Sequence, residues 1–258
     1  MMNSQQLLDS VETKTERREC SRHGAHEAEF FRITEGGPWL GGKCQKCVDE
    51  KEAWNQENER LEKEAEKRRI ISGLMRRSGI PKRFETRTLA SYKAESSGQK
   101  RALKIAQRMA ESNPDDGLSL VFCGKPGTGK THLACGVALE WINSGRPAIF
   151  STVLAAIRSI KATYNRNSET TEDAAIRVLT DVDLLVMDEI GVQLGTEHEK
   201  MLVFEIINER YQNMRPTILI SNLTQSELTE YLGDRVMDRF RESGAVVAFD
   251  WGSYRGSK

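Results

Sequence analysis

Leu118-Ser119-Leu120-Val121-Phe122-Cys123-Gly124-Lys125-Pro126-Gly127-Thr128-Gly129-Lys130-Thr131-His132-Leu133-Ala134 is the stretch that decides the fold. Leu118–Cys123 is a short apolar run of strand length, and helix formers continue from residue 130 to about 143. Between them, Gly124 to Thr131 has the P-loop pattern of Gly, four residues, Gly, Lys, then Ser or Thr. Gly124, Gly127 and Gly129 let the backbone curl so that successive amide N–H groups point inward at phosphates. The helix start adds its positive dipole end. Lys130 brings an ammonium to the outer phosphates, and the Thr131 hydroxyl suits Mg²⁺. The expected nucleotide-binding residues are therefore Gly124, Lys125, Pro126, Gly127, Thr128, Gly129, Lys130 and Thr131, with ATP and Mg²⁺ as the ligands.

Downstream, helices and short apolar runs alternate. Strands are expected at Ala148–Thr152, Leu184–Asp188, Thr217–Ser221 and Val246–Asp250, with helices at 130–143, 153–164, 173–180, 197–213 and a pair across 225–242. A further helix is expected upstream, at 98–112. Five apolar strands separated by helices read as an α/β fold: a parallel five-stranded sheet flanked by helices on both faces. The run Val182-Asp183-Leu184-Leu185-Val186-Met187-Asp188-Glu189 is a buried strand that ends in two carboxylates. In that place Asp188 would hold the Mg²⁺ shell through water, and Glu189 would activate the attacking water as general base. Asn222, directly after Thr217–Ser221, is placed to touch the γ-phosphate or that water, a role only the two preceding motifs make credible.

Upstream, the chain changes character. Residues 1–19 are polar and are expected to be loose. Cys20-x₂-His23 and Cys44-x₂-Cys47 stand twenty residues apart, the spacing of a zinc ribbon, with Gly41-Gly42 for the turn. Cys20, His23, Cys44 and Cys47 are the expected Zn²⁺ ligands, His26 being a rival to His23. Four protein ligands make the site structural, and the metal would carry the stability of a segment too small to fold by burial. From Asp49 to Arg77 the chain is dense in Glu, Lys and Arg and reads as a long exposed helix, whose apolar Ala53, Trp54, Leu61 and Ala65 are too sparse for a heptad seam. This arm is either a solvated spacer or a docking element for a partner. The expected division is 1–77 for the ribbon-like segment and arm, and 78–258 for the ATPase domain.

Composition sets outer bounds. The 258 residues include 38 basic and 38 acidic side chains, so no global field draws the molecule to nucleic acid or membrane. No apolar run reaches the length of a membrane span, and Met1–Arg18 lacks the apolar core of a signal peptide. Five cysteines, an odd number, argue against a disulfide framework and suit a cytoplasmic protein.

The ordered set of motifs resembles the DnaC/IstB group of AAA+ ATPases, and in particular its DnaC-like helicase loaders of bacterial and prophage type. The resemblance runs from Ser78-Gly79-Ile80-Pro81-Lys82-Arg83-Phe84 through Gly124–Thr131, Asp188-Glu189-Ile190-Gly191, Ser221-Asn222-Leu223 and Leu232-Gly233-Asp234-Arg235-Val236-Met237-Asp238-Arg239 to Phe249-Asp250-Trp251-Gly252-Ser253-Tyr254-Arg255. It implies that Asn222 is the sensor and that Arg239 is an arginine finger completing a neighbour's ATP site. Arg235 and Arg255 would read nucleotide state or the subunit contact. It also implies self-assembly with ATP, a replicative DNA helicase as partner, and single-stranded DNA as ligand, for which Arg158, Lys161, Tyr164 and Arg166 are candidates. Two other functions stay open at this point: an IstB-like transposition helper ATPase, and a zinc-dependent adaptor switched by ATP.

Overall fold

The computed structural model describes residues 11–34, 36–165, 168–191 and 196–254. They divide into two compact units, one ending at Lys67 and one beginning at Arg68.

In the smaller unit β1 (Glu12–Cys20) and β2 (Gly24–Arg32) form an antiparallel hairpin, and β3 (Leu40–Gly41) adds to β2. Residues 12–19 thus differ from the loose segment expected from their polarity. The strand is held by its ladder and by cross-strand pairs rather than by burial, as in the pairing of Arg32 with Glu12. Lys14 Nζ lies 4.7 Å from the centre of the Trp39 ring, and Arg32 lies over the same ring. β1 has no hydrophobic pattern of its own to reveal it, since its strand depends on pairing with β2. The long helix α1 (Gln45–Arg77) follows, and no residue of it is fully buried. Its ion pairs run along the surface, Lys63 to Glu59 at 2.5 Å and Arg60 to Glu64 at 2.9 Å. Its last turns belong to the larger unit, where Ile71, Leu74 and Met75 pack on the core.

The larger unit is built on β4 (Ser119–Gly124), β5 (Ala148–Thr152), β6 (Leu184–Ile190), β7 (Thr217–Ser221) and β8 (Gly244–Phe249). All neighbours are parallel, in the order β5-β6-β7-β4-β8. The three central strands, β6, β7 and β4, are almost wholly buried because both faces are covered. Leu120, Phe122, Val186 and Ile220 point to one side, with α2 (Ser97–Glu111) and α3 (Lys130–Asn143). Val121, Cys123, Met187 and Leu219 point to the other, with α4 (Val153–Ala162), α5 (Glu172–Thr180), α6 (Glu197–Gln212), α7 (Gln225–Leu232) and α8 (Asp234–Ser243). The α/β architecture with a five-stranded parallel sheet is the one expected from the sequence. Cys123 and Cys135 are core residues, and burial pushes the Cys135 thiol up to about 12. Among the described residues, no helix is long and apolar enough to cross a membrane.

Candidate functional site

Most of the predicted nucleotide residues converge at the carboxyl ends of the strands, around a cleft of about 810 Å³. It is lined by Pro126, Gly127, Gly129, Lys130, Thr131, Asp188, Glu189 and Asn222 among others. An opening at the carboxyl ends of parallel strands is where ligands of open α/β sheets bind.

The loop between β4 and α3 is prepared for an anion by its backbone. Five helices of this unit (α2, α4, α5, α6 and α7) begin with a Ser or Thr whose side chain accepts a backbone N–H. By contrast, α3 begins at Gly129, with φ 97° and no side-chain cap, which leaves its first N–H groups for a ligand. A side chain at 129 would also strike the Tyr92 ring at 2.7 Å. At the loop's start, Gly124 N–H donates to Leu223 O at 2.8 Å and Lys125 N–H donates to Phe249 O at 3.0 Å. Lys130 is buried, and its ammonium donates to Gly124 O at 2.6 Å and to Lys125 O at 2.7 Å. Thr128 Oγ1 donates to Lys125 O at 2.8 Å.

The acids arrive from β6. Thr131 Oγ1 donates to Asp188 Oδ2 at 3.0 Å, and the N–H of Glu189 donates to Asp188 Oδ1 at 2.7 Å. Burial pushes the Asp188 carboxyl above the usual carboxylate value, and these two hydrogen bonds partly oppose the shift. Glu189 is exposed and has φ 64°, at an irregularity between Met187 and Ile190 in the pairing of β6 with β7. A non-glycine residue in the left-handed region costs about 1 kcal/mol and is held only where the surroundings require it. Asn222 is exposed beside the acids.

The arginines lie elsewhere. Arg239 on α8 donates to Asn208 Oδ1, and its guanidinium sits 4.7 Å from the centre of the Tyr211 ring, away from its own chain's cleft. Arg235 is exposed on the same helix. Arg255 and Arg166 lie outside the described residues. Of the DNA candidates, Lys161 pairs with Glu199 at 2.6 Å, and Tyr164 donates to Glu172 at 2.8 Å. Arg158 is exposed.

The smaller unit brings Cys20, His23, Cys44 and Cys47 together. His23 Nδ1 lies 3.8 Å from Cys20 Sγ, 3.6 Å from Cys44 Sγ and 3.3 Å from Cys47 Sγ, and the Cys20 and Cys47 sulfurs are 3.5 Å apart. A tetrahedral zinc with bonds of roughly 2.0–2.3 Å sets its ligand atoms about 3.5–3.8 Å apart, so the donor set fits that ion in spacing and chemistry. His23 Nε2 faces Glu50 Oε1 at 2.9 Å, which directs Nδ1 to the sulfurs. His26 turns its Nδ1 to Gly24 O at 3.4 Å instead, outside the cluster.

Sequence reasoning passed over the aromatic residues that bond to the loop's carbonyls, Tyr92, Trp251 and Tyr254. The last two stand in the segment after β8 that carried the family resemblance. The cluster of aromatic residues there was the available signal.

The profile of the family described as IstB-like ATP binding protein matches residues 43–258. The chain belongs to this IstB-like ATP-binding family. A replicative helicase loader DnaC of Buchnera aphidicola (subsp. Acyrthosiphon pisum) is 36% identical over 208 residues, 79% of this chain and 85% of that protein. The replicative helicase loader DnaC of Escherichia coli K12 is 39% identical over 180 residues, 69% of this chain and 73% of that protein. A crystal structure of the DnaC helicase loader matches with a TM-score of 0.59 at 24% identity, over 66% of this chain and 100% of the other. A crystal structure of DnaI matches at 0.57 with 21% identity, over 68% and 94%. These two likenesses concern the fold. The DnaC/IstB resemblance read from motif order and the AAA+ ATPase class both agree with the family match.

Proposed function

We propose that this IstB-like chain is an ATP-dependent loader that delivers a replicative helicase to single-stranded DNA in the cytoplasm. The observation that carries the reading is the breadth of the likeness. Relatives named replicative helicase loaders match 69–79% of the chain, far more than a phosphate loop alone.

ATP would place its phosphates on the amides of Gly124–Thr131, with Lys130 leaving the carbonyls of Gly124 and Lys125 to meet them. Thr131 and Asp188 would hold Mg²⁺, the latter through water. Glu189 takes the role of general base and Asn222 that of sensor of the γ-phosphate. Arg239 serves a neighbouring subunit's nucleotide as arginine finger, and Arg235 and Arg255 read nucleotide state or the subunit contact. Its position away from its own cleft supports action in trans, with hydrolysis tied to self-assembly. Zn²⁺ held by Cys20, His23, Cys44 and Cys47 would stabilise the N-terminal ribbon, and residues 1–77 would dock the helicase while 78–258 work the ATP cycle. The pairing of Lys161 and Tyr164 with acids favours Arg158 over both as a phosphate contact for DNA.

The test is recruitment. The protein is mixed with the helicase of its host, with ATP and Mg²⁺, and the complex is sized. A helicase complex that forms, and that transfers the helicase to single-stranded DNA, supports the reading; no complex with any host or phage helicase rejects it.

A further inference from the structure

Three donors with no part in the roles above converge on carbonyl oxygens of the phosphate loop. Trp251 Nε1–H donates to Thr128 O at 2.9 Å. Tyr92 OH reaches the same oxygen at 3.4 Å. The main-chain N–H of Tyr254 donates to Gly127 O at 2.9 Å. The donors are seated firmly. The Trp251 ring lies 4.6 Å from that of Phe249, and a Cβ on Gly98 would meet it at 3.2 Å. Tyr254 packs edge-on against Tyr92 at 6.1 Å and donates its hydroxyl to Lys93 O.

In a trans peptide the C=O of one residue and the N–H of the next point in opposite directions. A hold on Gly127 O therefore fixes the N–H of Thr128 pointing away from Tyr254, and a hold on Thr128 O fixes the N–H of Gly129 pointing away from Trp251. These are two of the amides that form the anion nest. Glycine-rich loops lose much conformational freedom on ordering, so a loop already fixed by these bonds loses less when the anion arrives.

We propose that Trp251, with the main-chain N–H of Tyr254, is a positioning residue of the nucleotide site, pre-aiming the Thr128 and Gly129 amides at the triphosphate. Trp251 is not among the residues lining the cleft, so it acts through the loop and not by touching the nucleotide. The inference deepens the ATP-site reading and rests on it.

The experiment compares full-length wild type, Trp251→Phe and Lys130→Ala for ATP affinity, melting temperature, and the split of ATPase activity between KM and kcat. Trp251→Phe keeps a ring against Phe249 and removes only the N–H. Its affinity for ATP should fall about 3–10-fold, the worth of one hydrogen bond, with the loss in KM exceeding that in kcat and the melting temperature close to wild type. Affinity equal to wild type overturns the proposal. So does a loss that vanishes at 10 °C, about where folded states are most stable, since that result reports folding alone. Lys130→Ala separates the two readings. If it loses ATP binding while Trp251→Phe does not, only the positioning role fails; if it binds ATP as wild type does, the site itself is misread.

Discussion

Thr131 Oγ1 and Asp188 Oδ2 lie 3.0 Å apart although the strands that lead to them, β4 and β6, are separated by β7. This hydrogen bond keeps the hydroxyl suited to Mg²⁺ beside the carboxylate suited to hold a water of its shell.

Asp188→Asn should abolish Mg²⁺-dependent ATP hydrolysis, yet raise the melting temperature of the nucleotide-free protein. The sign follows from the raised pKa. In the unfolded chain this carboxyl ionises at lower pH, so its contribution to stability falls as pH rises through the interval between the two values. Removing the charge relieves that cost at neutral pH. Thermal melts at pH 7 without nucleotide check it; a clear drop in melting temperature refutes it.

Glu189→Gln should bind ATP as wild type does and hydrolyse it about 10²–10³-fold more slowly, in the range expected for loss of a general base. A filter-binding assay beside a phosphate-release assay measures both. Unchanged turnover would remove Glu189 from the chemistry.

Arg239→Ala should leave ATP affinity intact and lower turnover about 10³-fold or more. Mixed with Lys130→Ala, which has an intact finger but a damaged pocket, it should regain part of its activity. Absence of any recovery at concentrations where the wild type assembles would exclude action on a neighbour.

Zinc should bind at one equivalent per chain, and Cys44→Ser or a strong chelator should unfold the hairpin around His23 while leaving ATP binding intact. Glu50→Gln should weaken zinc about 10-fold by releasing the His23 ring. Metal analysis and a coloured zinc indicator read these outcomes; metal-free protein with native hairpin spectra would contradict the assignment.

Arg210 is fully buried and donates to the carbonyls of Leu179, Thr180, Val182 and Pro216 and to Thr217 Oγ1. Burial lowers its pKa, but the guanidinium stays charged at neutral pH. Arg210→Met would orphan these acceptors and cost about 3–5 kcal/mol. Urea unfolding measures it, and a loss under 1 kcal/mol would show the carbonyls had found other partners.

The ATPase core was legible because its signals are local. Ala148–Thr152 and Thr217–Ser221 are apolar runs of strand length whose ends coincide with the observed strands. Glycine spacing in Gly124–Thr131 encodes backbone conformation directly. What stayed hidden depends on distant chain. β1 is polar at nearly every position and becomes a strand through β2. The left-handed backbone of Glu189 has no signature in a glutamate, and Arg210 reads in sequence as one more surface charge on α6. Trp251 and Tyr254 gain their meaning from the return of the chain past Thr128.

The ties of Gly124 to Leu223 and of Lys125 to Phe249 join main-chain atoms only. Every amino acid except proline supplies the N–H, and all supply the oxygen. These two ties therefore do not depend on which side chains stand at 223 and 249, and the phosphate loop stays fastened to the strands on either side through any substitution the core can absorb. This part of the cradle's shape is inherited through the polymer and not through its letters.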